Sequence, residues 1–427
     1  MVEERKYWDE EVETMPLDKL KKLQGERLQE IVTWAYERSK FYRQKFDEAG
    51  VKPSDISTVD DLAKLPLIVD DDIRHAPIED KLSVPWEEVH QYCSSTGTTG
   101  FPEPILFTRS DYDIGCIDGV CRLYWTAGVR PSDVVQSLLG VPCHFVAPRA
   151  LGARSVGEQV GRGGLDHRVV LAKMMHVTVL VHFPSLALQY FARARELGID
   201  TRETELRLLV GIGEGWAESY TRKVEADYGV TFRGFFGVAT AGEIASGCGY
   251  GGMHIVGDRH VLEIIDPETK QVLPPGEEGE LVVTNLIRRA IPKIRIREGD
   301  ISRILPHEPC PCGRTHPKLS MIRGRMSQLI NVKGKRFFPV DIEEVLGGIP
   351  DLGYEWQIIR DKPVLDRLMV KVEHKPEVKD LGALANRVEE ALFDGLGVES
   401  EAELVPPGSI GHPLVKAMRV ITTYEKT

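Results

Sequence analysis

Residues 94–102 read Ser94-Ser95-Thr96-Gly97-Thr98-Thr99-Gly100-Phe101-Pro102, with Cys93 before them and the apolar run Ile105, Leu106, Phe107 soon after. Two glycines let the backbone bring several N–H groups towards one point, and the hydroxyls add donors, so the stretch makes a nest for an anion such as a polyphosphate. The same composition is found in surface linkers. Its shortness and the strand-like sequence that follows at once favour a phosphate loop. The lysine of the G-x-x-x-x-G-K-[ST] pattern is absent, so it is a phosphate loop of another kind.

Residues 89–92 read as a strand leading into this loop. Upstream, Leu17, Leu20, Leu23, Ile31, Trp34 and Phe41 recur at roughly helical spacing until Gly50, Pro53 and Asp55 stop the pattern, which predicts amphipathic helices packed on the main body. Downstream, strand-like runs at 134–139, 177–182, 206–212 and 230–235 alternate with helical segments at 155–161, 185–197 and 216–228. Strands separated by helices imply right-handed crossovers and a largely parallel sheet, with ligands at the carboxyl ends of the strands. Two of those ends are Gly211-Ile212-Gly213-Glu214-Gly215 and Phe235-Phe236-Gly237-Val238. A glycine-lined wall and an aromatic ring suit a flat base such as adenine.

Residues 254–306 alternate as antiparallel strands with turns at Asp266-Pro267 and Pro274-Pro275-Gly276. Within them Arg288, Arg289, Lys293, Arg295 and Arg297 read as a solvated strand face. A helix is expected to open at Asp341 with Glu343 and Glu344 in its first turn. The tail returns to strand, helix and strand. The predicted class is therefore α/β: a large N-terminal domain over residues 1–325, with mostly parallel sheets flanked by helices plus an antiparallel β segment, and a small α+β C-terminal domain over 326–427.

The chain has 427 residues, 42% hydrophobic and 28% charged, enough for substantial cores and two or more domains. A net charge of -11 argues against nucleic-acid or anionic-membrane partners, which need clustered Lys and Arg. The acidic beginning, MVEERKYWDEEVE, has no apolar signal core, and no apolar run approaches ~18 residues, so a cytoplasmic protein is expected. Seven cysteines in a chain this long do not make a disulfide framework, and grouped ones suggest metal. Cys248 and His254 flank a glycine-rich turn, and Cys310-Pro311-Cys312 makes a second tight pair. Together they fit a closed tetrahedral Cys3His zinc site, with His316 as rival fourth ligand and buried free thiols as the alternative. Cys93, Cys116, Cys121 and Cys143 show no such grouping.

The ordered set SSTGTTGFP, GIGEGW, FFG, REGD, IRGR, VKGKRFFP and GSIGHPLVKAMRV resembles the adenylate-forming acyl-CoA synthetase superfamily and, within it, the phenylacetate-CoA ligase group. The segment PCPCGRTHP and the ending Val415 to Arg419 strengthen the likeness, which is collinear over nearly the whole chain. The resemblance implies an ATP-dependent carboxylic acid:CoA ligase using ATP, Mg2+ and CoA as co-substrate, with a small carboxylic acid as partner and a mobile C-terminal domain. Relatives are commonly homodimers, and the sequence leaves that open here. On this likeness Ser94, Ser95, Thr96, Gly97, Thr98, Thr99 and Gly100 would hold pyrophosphate, and Gly213, Glu214, Gly215, Phe235, Phe236, Gly237 and Thr240 would surround the nucleotide. Asp300 would bind both ribose hydroxyls and Arg325 a ribose or phosphate oxygen. Lys416 would be the catalytic lysine, Cys143, His144, Phe145 and Ile212 would shape the acid pocket, and Gly334, Lys335 and Arg336 would serve the second half-reaction.

The sequence departs from the family pattern in places. The aromatic-Gly-x-Thr-Glu segment reads Phe236-Gly237-Val238-Ala239-Thr240, so the magnesium glutamate is missing and Glu243, three residues on, is its candidate replacement. Phe236 stacks but donates no hydrogen bond, and Ser327 stands at the hinge aspartate. Two alternatives stay open: an adenylyltransferase acting on a cofactor hydroxyl without CoA, and a non-catalytic nucleotide-binding relative.

Overall fold

The computed structural model describes residues 5–94, 103–157, 164–411 and 417–424. The chain divides into two compact units, one of Met1–Gly157 with Arg233–Met321 and one of Glu158–Phe232 with Ile322–Thr427. The second unit thus joins the C-terminal segment to the strand–helix segment before Arg233, a grouping that a single cut near residue 325 does not express.

In the first unit the predicted N-terminal helices are Leu17–Arg38 and Lys40–Glu48. Leu28, Ile31, Val32 and Ala35 are fully buried on one face, and each large aliphatic side chain so placed contributes about 1.5–3 kcal/mol. Ser39 stops the first helix and caps the second, its Oγ accepting from the Tyr42 N–H and donating to the Asp80 carbonyl at 2.8 Å. The core they close also takes Phe46, Leu65, Ile68, Ile294 and Ile296. Around it His260–Ile265, Gly279–Asn285 and Ile296–Ser302 pair antiparallel, and Ile68–Val69 adds in parallel. Val89–Ser94 and Pro104–Thr108 form a hairpin whose intervening residues lie outside the described set. Val134–Ser137 pairs parallel with Arg154–Val156. Residues 154–156 are therefore strand where a helix from 155 was expected, since a glycine-rich run offers little to a helix. Thr231–Val238, Gly242–Gly247, Met253–Ile255 and Lys318–Leu319 continue as an antiparallel series.

The basic cluster is not a solvated face. Lys293 and Arg295 are buried, Lys293 against Glu103 at 3.0 Å and Arg295 in a two-bond clamp on Glu263 at 2.9 and 2.7 Å. Arg297 grips Glu280 on the neighbouring strand. The acids come from distant parts of the chain, so the charge run alone did not disclose them.

In the second unit Val179–His182 and Leu208–Ile212 pair in parallel, as the alternation required, with Pro184–Glu196 and Glu218–Tyr228 as the crossover helices. The C-terminal part orders its strands Ser400–Val405, Leu368–His374, Leu352–Arg360 and Val420–Thr422. Helices Pro339–Gly347 and Leu381–Leu396 help close a core of Ile342, Ile358, Val370, Val388 and Leu392. The first of these opens at Pro339, two residues before the expected Asp341, because proline fits the first helical turn. Asp341 instead accepts from the Phe338 N–H at 2.8 Å and pairs with Arg323. Among the described residues no helix is long and apolar enough to cross a membrane.

Candidate functional site

In the second unit the strand Leu208–Ile212 runs into the turn Gly213-Glu214-Gly215. Gly213 has φ +83°, and a Cβ on Gly215 would stand 2.5 Å from the Ile322 carbonyl oxygen, so both positions need glycine. Glu214 is held by Ser185, whose N–H and Oγ each donate to its carboxylate at 2.9 Å. The same carboxylate accepts from the Ala417 N–H at 2.9 Å. The residue after Lys416 is thereby tied to the strand-end turn. Lys416 itself lies outside the described residues, as do Ser95 to Gly100 of the glycine/threonine loop.

The C-terminal helix Pro339–Gly347 reinforces this union. Glu343 accepts from the Ala217 N–H at 2.8 Å and Glu344 from the Ser219 N–H at 2.7 Å, satisfying donors at the start of Glu218–Tyr228. Burial, aided by the neighbouring carboxylates of Glu214 and Glu344, pushes the Glu343 carboxyl up to about 7. Arg325 precedes the short 3-10 turn Met326–Gln328, its N–H bonded to the Gln328 side chain. Arg360 donates to the carbonyls of Ser327 and Leu329 at 3.2 and 2.9 Å. Gly334, at φ +90°, turns the hairpin on which Lys335 and Arg336 stand exposed. Ile212 ends its strand, buried.

In the first unit Phe235, Phe236 and Gly237 lie on Thr231–Val238, and the register slips between Phe236 and Gly237. Such a bulge re-aims side chains and is common beside active sites. Thr240 follows with its Oγ1 buried and without a hydrogen-bond partner among the described residues. Asp300 sits buried on Ile296–Ser302, one residue after Gly299 at φ +77°. Ser94 ends the strand before the loop.

Cys143, His144 and Phe145 open the helix Cys143–Leu151. His144 shares a 2.7 Å hydrogen bond with the buried Tyr124 hydroxyl through Nδ1 and packs edge-on to Phe235. Burial holds its imidazole down to about 4, neutral at pH 7. Glu243, the candidate for magnesium, is the second residue of the strand Gly242–Gly247, and its Oε1 lies 3.7 Å from Cys116 Sγ. Cys143 completes that group. Thiols do not suit magnesium, which asks for oxygen donors in near-octahedral array. Burial pushes the Glu243 carboxyl up to about 7. The grouping of Cys116 with Cys143 corrects the expectation that these cysteines stand apart; residues so distant in sequence leave no spacing to read.

The predicted zinc donors do converge. Donor atoms of Cys248, His254, Cys310 and Cys312 all lie within 4.8 Å of one another, with Cys248 Sγ to Cys310 Sγ at 3.7 Å and Cys312 Sγ to His254 Nε2 at 3.3 Å. His254 Nδ1 is bonded to the His316 carbonyl at 3.0 Å, leaving Nε2 to face the thiols, the outer-shell arrangement of a metal-bound histidine. His316, the rival, is outside the group; its Nδ1 meets the Ile255 carbonyl and the Gly257 N–H. Four soft or borderline donors make a full tetrahedral set.

Residues 334–423 match the family described as AMP-binding enzyme C-terminal domain. The phenylacetate-coenzyme A ligase of Thermus thermophilus is 32% identical, covering 93% of this chain and 95% of the relative. That of Escherichia coli is 30% identical over 96% of each. Among solved structures, 2-hydroxyisobutyryl-CoA ligase in its postadenylation state with 2-HIB-AMP superposes with a TM-score of 0.92 at 26% identity, covering 99% of this chain and 93% of that one. The same ligase in its thioesterification state, with CoA bound, gives 0.73. With the strand-end glycine turn and the C-terminal segment in place on a chain matched from end to end, this protein belongs to the phenylacetate-CoA ligase group of the adenylate-forming superfamily, the AMP-forming acid–thiol ligases.

Proposed function

We propose that this protein activates a small carboxylic acid with ATP, releasing pyrophosphate, and passes the acyl group from acyl-AMP to coenzyme A. The observation that carries the reading is the bond from Ala417 N–H to Glu214, because it brings the residue after Lys416 to the turn that ends the nucleotide strand. The acid's carboxylate attacks the α-phosphate, and such transfer is helped mainly by positioning and by neutralising charge on oxygens. Lys416 meets the attacking oxygen and the α-phosphate. The loop of Ser95 to Gly100 holds the departing pyrophosphate, while Asp300 and Arg325 hold the ribose side. Magnesium brought with ATP would add neutralisation of charge on the phosphate oxygens.

The thiol of coenzyme A must then approach the same carbonyl. We propose that residues 326–427 move for this step about Met326 to Gln328, bringing Gly334, Lys335 and Arg336 into play. Cys248, His254, Cys310 and Cys312 would hold a structural zinc, which would tie the turn at residues 249–252 to the turn at 310–312. All seven cysteines are free, which suits a reducing compartment and work in the cytoplasm.

The test is acid-dependent exchange of labelled pyrophosphate into ATP, followed by CoA-dependent release of AMP, across aryl, hydroxy and short aliphatic acids. Activity with one class and its loss in K416A is the expected result. Exchange that needs no acid, or AMP release indifferent to CoA with every acid, contradicts the proposal. Zinc content that falls by about one per chain in C310S/C312S supports the structural metal.

A further inference from the structure

We propose that Cys116, Cys143 and Glu243 form a second metal site, a three-donor pocket for a thiophilic divalent cation of the zinc class. Their donor atoms lie within 4.8 Å of one another. A tetrahedral zinc with bonds of about 2.3 Å to sulfur and 2.1 Å to oxygen separates a sulfur from an oxygen ligand by about 3.6 Å. Cys116 Sγ and Glu243 Oε1 stand 3.7 Å apart, so one cation between them needs almost no movement.

Three separate elements converge to make this geometry. Cys116 lies in a π-helical turn, Asp111–Asp118, a rare conformation that concentrates at functional sites. Cys143 is the first residue of the nine-residue helix Cys143–Leu151. Glu243 is the second residue of the strand Gly242–Gly247, and Gly119 leaves it room: a Cβ there would stand 3.3 Å from Glu243 Oε2 and 3.4 Å from Arg259 Nη1.

The charges also suit a cation. The Glu243 carboxylate accepts from the Cys116 thiol at 3.7 Å, a bond that a cation between the two would replace. Two thiolates and a carboxylate around a divalent ion carry one net negative charge, and Arg288 and Arg259 both act attractively on Glu243. Magnesium is excluded by the sulfur donors, which select zinc and its relatives. His144 does not supply a fourth ligand through Nδ1, which is taken by Tyr124. The site therefore differs in kind from the Cys3His group: three protein donors leave one position for water, the pattern of sites that exchange ligands.

The experiment is metal counting on the full chain, freed of metal by a chelator, reloaded with zinc and desalted. Two zinc per chain are expected in the wild type. C116S/C143S and, separately, E243Q are expected to hold one, while C310S/C312S retains the other. Cobalt in place of zinc should then show a sulfur charge-transfer band in C310S/C312S that vanishes when C116S/C143S is added. E243Q keeps the side-chain volume, so it decides the matter even where the double cysteine variant does not fold. A wild type whose zinc count is unchanged by both C116S/C143S and E243Q overturns the proposal. Neither readout depends on ligase activity.

Discussion

The buried pair of Lys293 and Glu103 offers the sharpest test of how the first unit is held together. Both side chains are about as inaccessible as side chains become, at 2% and 1% exposed, with the ammonium 3.0 Å from the carboxylate. Lys81 is also buried, donating to the Ile73 carbonyl at 2.8 Å, and it feels both Glu103 and Lys293. Glu103 thus acts attractively on two buried ammonium groups, Lys293 and Lys81, the second of which also feels Asp70. Removing one partner of a buried pair costs about 3–5 kcal/mol, because the other charge is left uncompensated. At 2–4 °C per kcal/mol for a unit of this size, K293M should lower the melting temperature by roughly 10 °C. E103Q should cost at least as much, since it strands Lys293 and also removes one of the acids that attract Lys81. The double change E103L/K293M should recover most of the loss, because apolar replacements of similar volume are often neutral or better and Lys81 keeps Asp70 and its carbonyl partners. Thermal unfolding of the four proteins in one buffer is the assay. Single variants that melt within 2 °C of wild type, or a double variant worse than either single, would refute the reasoning.

Three further outcomes are expected. Because the folded Glu343 carboxyl titrates at about 7, above its unfolded value, its contribution is fully present below about pH 4.5 and lost as pH rises through 7. E343Q should therefore gain on wild type by on the order of 3 kcal/mol between pH 4.5 and 8, and parallel melting curves against pH would contradict that sign. G215A, whose Cβ would press on the Ile322 carbonyl, should cost about 1–3 kcal/mol and slow pyrophosphate exchange; wild-type exchange and melting would show the turn has slack. S327P, in the 3-10 turn, should spare adenylation relative to thioester formation, measured as exchange against CoA-dependent AMP release, and equal loss in both would move the joint elsewhere.

How far such features can be read in advance depends on whether their partners are close in sequence. The parallel strands Val179–His182 and Leu208–Ile212 were legible because each repeats a local pattern, apolar run then glycine turn then helix. The Cys3His group was legible for the same reason: each half is a short turn, and only the meeting of two halves had to be supposed. The strand at 154–156 was missed because glycine-rich sequence carries little periodicity of either kind.

Charged and nucleophilic residues fail differently, because their meaning lies in what faces them. Arg295 announces a cation but not that Glu263 clamps it in the core, so the run from Arg288 to Arg297 looked solvated. Cys143 was picked out as a lining of the acid pocket, and Glu243 as a magnesium ligand, yet neither spacing pointed at Cys116. What joins them is backbone shape: a π turn, a helix start and a strand start brought to one place. A π turn has no recognisable residue signature, since it arises where tertiary packing stabilises an otherwise poor hydrogen-bond geometry. If function concentrates where local preference is overruled, the thiols and carboxylate gathered beside that turn are where a further activity of this chain is to be sought.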